Sequence, residues 1–583
     1  MATTSVTPPS DQARRAPDPK SGPRGSLSQS LQSRGWGPRL GYVLLLLVLG
    51  YLIVLPLIQL QSLAFEDGAA GYKSQYGSPN IGQVIWTTVQ LALGSLVIAM
   101  VLGTVLAFAS SRLPARFAFL RVIPVLPIVM PAVANICGWA FLLSPGPGYL
   151  NALLRRLPWW SSLDSGPVDV YTTTWIIILT GFGLTSFVYL FVSAGMANIS
   201  GEHLEAAQAS GSSTVGVFFR IVLPLLRPSL IYGAGVALLL GLGQFTGPLL
   251  LGANTGVKVL TTEMYLRVSE SPADFAAAAA AGSPLVILGV IVVLGQKFLL
   301  GDQRRFVTHG GKGFKAAPAR STWAVVMVVV YGVVALLLPL IGLVLVSLSP
   351  YWSESIVWSL LTLENFRLLL STPDVIESII TSVVASAVAV LFCVPLGFLV
   401  ANLLVRGRRY KILRVLGDVI SALPLGIPAV IFGVAFLLTY TQPPLILYGT
   451  RAVIILVYIA LMIPFSMRLQ MTALMSLGET YNEASATSGA SAFVTSRQIT
   501  LPLLRPAILS AVALMFILLT HEFAASLLVR SPTTQVMGTR LYDLWTNGQY
   551  PQVAAMAILM TAVTGLGVFI AMLFGGRNVL DKL

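Results

Sequence analysis

Long apolar runs, broken by short polar or glycine- and proline-containing stretches, fill residues 40–575. A helix needs about 20 mostly apolar residues to cross a bilayer. Twelve such spans are expected, at roughly 40–63, 84–110, 118–143, 172–196, 229–251, 275–298, 323–348, 376–405, 412–439, 452–473, 507–529 and 552–575. An even number returns both ends of the chain to the same side. Residues 1–39 are polar and rich in Pro, Ser and Arg, the composition of a disordered tail. No small-residue cleavage site separates them from the first apolar run, so that run reads as a retained span.

Composition sharpens this picture. Of the 583 residues, 56% are hydrophobic and only 10% charged, against about 25% charged in soluble domains. The net charge of +14 would suggest nucleic acid in a soluble protein. Here most Lys and Arg fall in the tails, in the 301–322 linker and in loops on the side of both termini. The charge therefore reads as membrane orientation, with cytoplasmic termini and the lipid bilayer as surroundings, and no nucleic-acid partner is expected. The two cysteines, Cys137 and Cys393, sit apart in apolar spans and form neither a disulfide framework nor a metal cluster.

The chain then repeats itself. EAAQASGSSTVGVFFRIVLPLLRP (205–228) returns as EASATSGASAFVTSRQITLPLLRP (483–506). The first lies between expected spans 4 and 5, the second between spans 10 and 11. Order and orientation match, so the halves are a parallel duplication rather than an inverted one. The first half covers 40–300 with its loop at 202–224, and the second covers 323–583 with its loop at 480–502. Each loop reads as short helix, glycine turn, short helix, then a proline at the start of the next span. Gly211 and Gly489 permit the turn, Pro228 and Pro506 suit the first turn of a helix, and Arg227 and Arg505 can snorkel to the interface. A partnerless amphipathic surface helix is the ordinary reading of one such segment, but two copies on one side favour a docking function.

Glu205, Ala206, Ala207 and Gly211, followed by Ile221, Leu223 and Pro224, resemble the signature loop of permeases of ATP-binding-cassette (ABC) importers. Glu483, Ala484, Ser485 and Gly489, followed by Ile499, Leu501 and Pro502, repeat its spacing, with Ser485 where that family usually has alanine. The resemblance implies an all-α polytopic membrane protein of about twelve transmembrane helices in two tandem parallel halves, the type I ABC importer permease fold. It implies that both loops are coupling helices, each seated on one of two copies of a cytoplasmic ABC ATPase. It implies an extracytoplasmic substrate-binding protein and a place in the bacterial inner membrane. The chain has no G-x-x-x-x-G-K-[ST] phosphate loop. It is thus expected to be no enzyme and to bind no cofactor, with ATP and Mg held by the partner.

Ionisable groups inside spans are expensive and default to functional candidates. FILLTHEFAASLL (516–528) places His521 and Glu522 in span 11, and Gln244 occupies the position of Glu522 one repeat earlier. These three are the expected lining of a substrate pathway between the halves. A buried His–Glu pair tying helices together is the structural alternative. No stable metal site is expected, only a transient contact of a cation with Glu522. The E-F-A-A run at 522–525 and the outer-loop segments VLTTEMYLRV (259–268) and VMGTRLYDLW (536–545) resemble the fused permeases of bacterial iron(III) importers. Thiamine, polyamine and aminoethylphosphonate permeases share the layout, and a carboxylate suits a hard cation, which tilts the expectation to iron(III), although it suits a polyamine equally well. An ion-coupled secondary transporter is the alternative from another class, but it would not need the paired loops.

Overall fold

The computed structural model describes residues 36–197, 199, 210–300, 322–407, 409–477 and 480–575. Residues 1–35 of the expected tail, residues 301–321 of the linker, and Glu205, Ala206 and Ala207 lie outside the described residues. Helix α1 (Trp36–Leu49) begins inside the stretch assigned to the tail.

In the first half, α1 runs through a π-turn into α2 (Leu55–Tyr76). Then come α3 (Ile81–Ser111), a 3-10 stretch (Ala115–Ile128), α4 (Ala132–Leu143), α5 (Thr173–Ala197), α6 (Arg227–Leu242), α7 (Thr246–Leu251), α8 (Leu260–Ser269) and α9 (Phe275–Leu300). The second half follows the same order: α10 (Thr322–Gly332), α11 (Leu338–Leu348), α12 (Pro373–Arg406), α13 (Lys411–Gly426), α14 (Ala429–Tyr440), α15 (Arg451–Leu477), α16 (Thr480–Thr487), α17 (Leu501–Thr520), α18 (Ala524–Val529), α19 (Met537–Thr546) and α20 (Tyr550–Gly575).

Ten helices among the described residues are long and apolar enough to cross a membrane. Expected spans 3 and 9 are not continuous. They are bent pairs, turned by 93° between Ile128 and Ala132 and by 109° between Gly426 and Ala429. The sequences at the bends match, LPIVMPAV (126–133) and LPLGIPAV (423–430). Pro131 and Pro428 take φ −54° and cap the helices that follow. Proline cannot donate to a preceding turn and drives its predecessor extended, as at Ile427 (φ −114°, ψ 125°).

Proline also explains the four π-turns among the described residues. Gly50–Val54, Phe218–Val222, Val333–Leu337 and Ser496–Thr500 each end at a Leu-Pro pair. The leucine N–H reaches back five residues, as from Leu501 to Ser496. The wider turn accommodates the ring of a proline that has no N–H of its own to place.

The first helices of each half also reach across to the other half. α1 packs on α13, and α2 on α14 of the other half; α10 packs on the Ala115–Ile128 stretch, and α11 on α4. Polar contacts pin both crossings. Asn402 donates to Tyr42 (3.1 Å) and Thr439 to Gln59 (2.6 Å) at one; Asn135 donates to the Ala335 carbonyl (3.2 Å) at the other. Gly138 lies so close to the Pro339 carbonyl that no side chain fits there. One core runs through both halves. Leu44, Leu47, Leu93, Val97 and Ile287 on the periphery are exposed, as lipid-facing residues must be.

Candidate functional site

Expected spans 5 and 11 are interrupted at matching places. α6 stops at Leu242 and α17 at Thr520. Residues Gly243, Gln244 and Phe245, and one repeat later His521, Glu522 and Phe523, leave the helix before α7 and α18 resume. Phe245 (φ −130°, ψ −50°) and Phe523 (φ −124°, ψ −43°) share a conformation. Glu522 is therefore not in the middle of a continuous span. α17 begins at Leu501, so it has run about 30 Å before Glu522, which lies toward the end remote from the 483–506 loop. Pro506, expected in the first turn, is inside α17; Pro502 occupies the helix start.

A broken helix frees backbone groups that need partners, and side chains supply them. Thr261 donates its hydroxyl to the Gln244 carbonyl. The Glu522 carboxylate caps α18: Oε1 accepts from the Ala525 N–H (2.7 Å), and Oε2 from the Ser526 N–H (2.9 Å) and the Ser526 hydroxyl (2.5 Å). That hydroxyl lies 2.9 Å from Tyr458 on α15. Negative charge at a helix N-terminus is favourable. Glu522 makes no hydrogen bond to His521, so the expected alternative of a His–Glu pair is not present. The His521 Nε2 is buried and has no hydrogen-bond partner among the described residues. No hydrogen bond joins Gln244 to either residue among the described residues.

The phenylalanines beside these groups bring the halves together. The Phe245 and Phe523 rings lie 5.7 Å apart. Phe245 meets Tyr265 at 5.8 Å, Phe523 meets Tyr542 at 5.8 Å, and the tyrosines meet at 6.3 Å. Four aromatic rings, two from each half, thus close a circuit across the interface. Tyr265 and Tyr542 belong to the segments expected as outer loops. Those segments are instead α8 and α19, each with one face buried. Thr262 and Thr539 accept the N–H of Val259 and Val536 (3.0 Å each), and Thr88 and Ser382 accept those of Leu260 and Met537 (2.9 and 2.8 Å). The four aromatics escaped the sequence reading. Phe245 and Phe523 sit one repeat apart beside the chosen polar residues, and that identity was the available signal. Tyr265 and Tyr542 are out of phase with it by one residue.

From the glycine turn onward the repeated loops share a geometry. Gly211 and Gly489 adopt φ +82° and +79°, conformations that favour glycine. Short helices Thr214–Val217 and Ala492–Thr495 follow, then π-turns into Leu-Pro. In the second loop Glu483 and Ala484 are exposed, as are Tyr481 and Phe493. Ser485 is buried and its hydroxyl lies 2.7 Å from that of Thr495. One repeat earlier the chain has Ala207 and Val217, so the hydroxyl pair replaces an apolar pair. Asn482, with its amide oxygen turned toward Arg406, accepts from Nη2 (3.0 Å) and Nε (3.2 Å), tying α16 to the end of α12. No group of three or more His, Cys, Asp or Glu side chains able to hold a metal occurs among the described residues.

Two helical halves, each with a bent span, a broken span meeting its mate across the interface, and a glycine-turned loop, define a duplicated membrane permease. The model of the family described as "Binding-protein-dependent transport system inner membrane component" matches residues 85–305 and 393–578. The chain belongs to that family and carries two copies of its domain, fused in tandem. It is 24% identical over 555 residues to the ferric transport system permease protein FbpB of Actinobacillus pleuropneumoniae, covering 92% of this chain and 78% of the relative. It is 25% identical to the probable ABC transporter permease protein y4fN of Sinorhizobium fredii, covering 88% and 92%. One region, 40% of the chain, is 28% identical to the putative 2-aminoethylphosphonate transport system permease protein PhnV of Salmonella typhimurium and covers 86% of it. The protein is thus a multi-pass inner-membrane permease, the membrane component of a transport system that depends on a binding protein.

Proposed function

We propose that the chain is a transmembrane unit, two fused halves, of an ATP-driven importer that carries iron(III) inward from an extracytoplasmic binding protein. The observation that carries the ATP-driven part is the pair of loops turned by Gly211 and Gly489. Two copies of a cytoplasmic ATPase dock there, one at Glu205, Ala206 and Ala207, the other at Glu483, Ala484 and Ser485. The exposure of Glu483, Tyr481 and Phe493 supports a partner surface. ATP and Mg belong to that partner. Both termini and both loops face the cytoplasm, in line with the distribution of Lys and Arg.

The substrate pathway runs between the halves, past Gln244, His521 and Glu522. The four aromatic rings seal it in this conformation. ATP-driven closure of the ATPase pair moves the two loops, and through α6 and α17 parts Phe245 from Phe523. Glu522 sets the position of Phe523 by holding α18, and its charge lies where a cation would pass. Iron(III) is the cargo, and its assignment is supported by relatives along nearly the whole chain. An aminoethylphosphonate cargo is the second reading, favoured by the relative that matches one region.

Uptake of radiolabelled iron(III), 2-aminoethylphosphonate and spermidine by cells with and without the intact transport system tests the cargo. Iron uptake that disappears on deletion, with the other two unchanged, is the expected result. Loss of aminoethylphosphonate or spermidine uptake with iron uptake intact would overturn the iron assignment.

A further inference from the structure

A cavity of about 930 Å³ lies away from the paired breaks, between the end of α12, the start of α13 and the end of α15. Arg406, Lys411, Arg414 and Arg468 line it against a single carboxylate, Asp418. The remaining walls are Leu, Val and Met side chains. Arg468 pairs with Asp418 at 3.3 Å, and Arg406 is held by Asn402 (3.4 Å) and Asn482. Arg414 differs: its Nε is buried and has no hydrogen-bond partner among the described residues.

The first half supplies an internal control. FLRV (119–122) corresponds to ILRV (412–415). Arg121, the counterpart of Arg414, donates its Nε to the Ser110 carbonyl (3.2 Å). Where the second half has Lys411, Asp418 and Arg468, the first has Ala118, Val125 and Leu190. Lys411, Asp418 and Arg468 thus have no charged counterparts at these positions of the first half. A buried guanidinium nitrogen without a protein acceptor leaves a donor free for an acceptor from outside the chain.

The cavity opens beside an apolar stripe. Ile412, Val415, Leu416 and Val419, spaced i, i+3, i+4 and i+7 along α13, are exposed (76%, 63%, 45% and 50%). Val415 belongs to both stripe and cavity. A helix with one apolar exposed face and cations beside it is built to lie at a membrane surface. α15 ends at Leu477, close before the loop helix α16, so the cavity is on the loop face.

We propose that this cavity binds the phosphate of an anionic phospholipid, its acyl chains lying along the α13 stripe. Arg414 and Lys411 meet the phosphate, Arg468 is steered by Asp418, and Arg406 links the site to α16. The inference rests on the chain lying in a membrane, with the loop face at the cytoplasmic leaflet. It does not depend on the cargo or on ATP.

The test is lipid binding to the purified full chain in detergent, followed by native mass spectrometry. The probes are dioleoyl phosphatidylglycerol, dioleoyl phosphatidylcholine and inorganic phosphate. The wild type should bind one phosphatidylglycerol in preference to phosphatidylcholine. Lys411→Gln with Arg414→Gln should weaken that binding about twenty-five-fold, from about fivefold for each cation near an anionic surface. Arg409→Gln, outside the cavity, should leave it unchanged. If the double variant fails to fold, Lys411→Gln alone, on an exposed side chain, should show the fivefold loss. Equal binding of phosphatidylglycerol by wild type and the Lys411 and Arg414 variants would overturn the proposal, as would equal binding of the two lipids. Inorganic phosphate binding as tightly as phosphatidylglycerol would replace the lipid with a soluble anion. No ATPase, binding protein or transport enters the readout, so a wrong transport function would leave this result unaffected.

Discussion

Replacing Glu522 by glutamine separates its two proposed contributions, holding α18 and presenting charge to a cation. The carboxylate accepts from three donors: the Ala525 N–H, the Ser526 N–H and the Ser526 hydroxyl. Glutamine keeps one oxygen. If that oxygen takes the place of Oε2, the amide NH2 faces the Ala525 N–H, donor against donor. If it takes the place of Oε1, the Ser526 N–H loses its acceptor, although the hydroxyl can turn. Either way one N–H at the start of α18 is stranded, at a cost of about 1–3 kcal/mol. Phe523 is the next residue, so its seat against Phe245 loosens with it. Glu522→Gln should therefore melt at a lower temperature than wild type, and its uptake should fall. Both are measured on one preparation, by thermal unfolding in detergent and by uptake in vesicles. A variant that melts like wild type yet transports nothing would refute the capping argument and leave charge alone as the explanation. Unchanged melting and unchanged uptake would remove Glu522 from the mechanism.

Phe245→Ala with Phe523→Ala should make vesicles leak small ions without ATP, and an ion-tight double variant that folds would contradict the seal; each change costs about 3–5 kcal/mol alone, less than additively because the rings touch. A Cβ at Gly489 meets no neighbouring atom, but Gly489→Val must adopt φ +79°, a strain of at least 1–2 kcal/mol, so it should uncouple ATPase activity from uptake while the chain still inserts. Ser485→Ala alone should cost about 1 kcal/mol by removing its hydroxyl bond to Thr495, which keeps its bond to the Ser491 carbonyl (3.0 Å), and Thr495→Val, which with Ser485→Ala restores the chemistry of Ala207 and Val217, should cost less in that background than in the wild type in a double-mutant cycle.

The apolar spans and the duplication were legible because both rest on averages: runs of about 20 apolar residues and a repeat that keeps its letters. The interruptions were not legible for the same reason. Gly243, Gln244 and Phe245 sit in a run that stays apolar on average, and one carboxylate at 522 does not stop such a run either. The helices end there because Thr261 and Glu522 satisfy the freed backbone, and those partners meet only in the fold. Pro131 and Pro428 were visible, but a proline in an apolar run reads equally as a kink or a right-angle bend. Glu522 was singled out by its charge, while its bonds to Ala525 and Ser526 depend on the helix restarting at Ala524. The glycine turns were legible to the residue, because a positive φ has few other solutions.

The central claim is that ATP hydrolysis by partners at the two loops drives uptake through this chain. It is tested most directly in proteoliposomes containing the chain and its ATPase, with the loaded binding protein outside and nucleotide inside. The account predicts iron(III) accumulation that requires luminal ATP, persists when ion gradients are collapsed, and is lost in Glu205→Ala with Glu483→Ala. Accumulation driven by an ion gradient without ATP, or undiminished in that double variant, would contradict it.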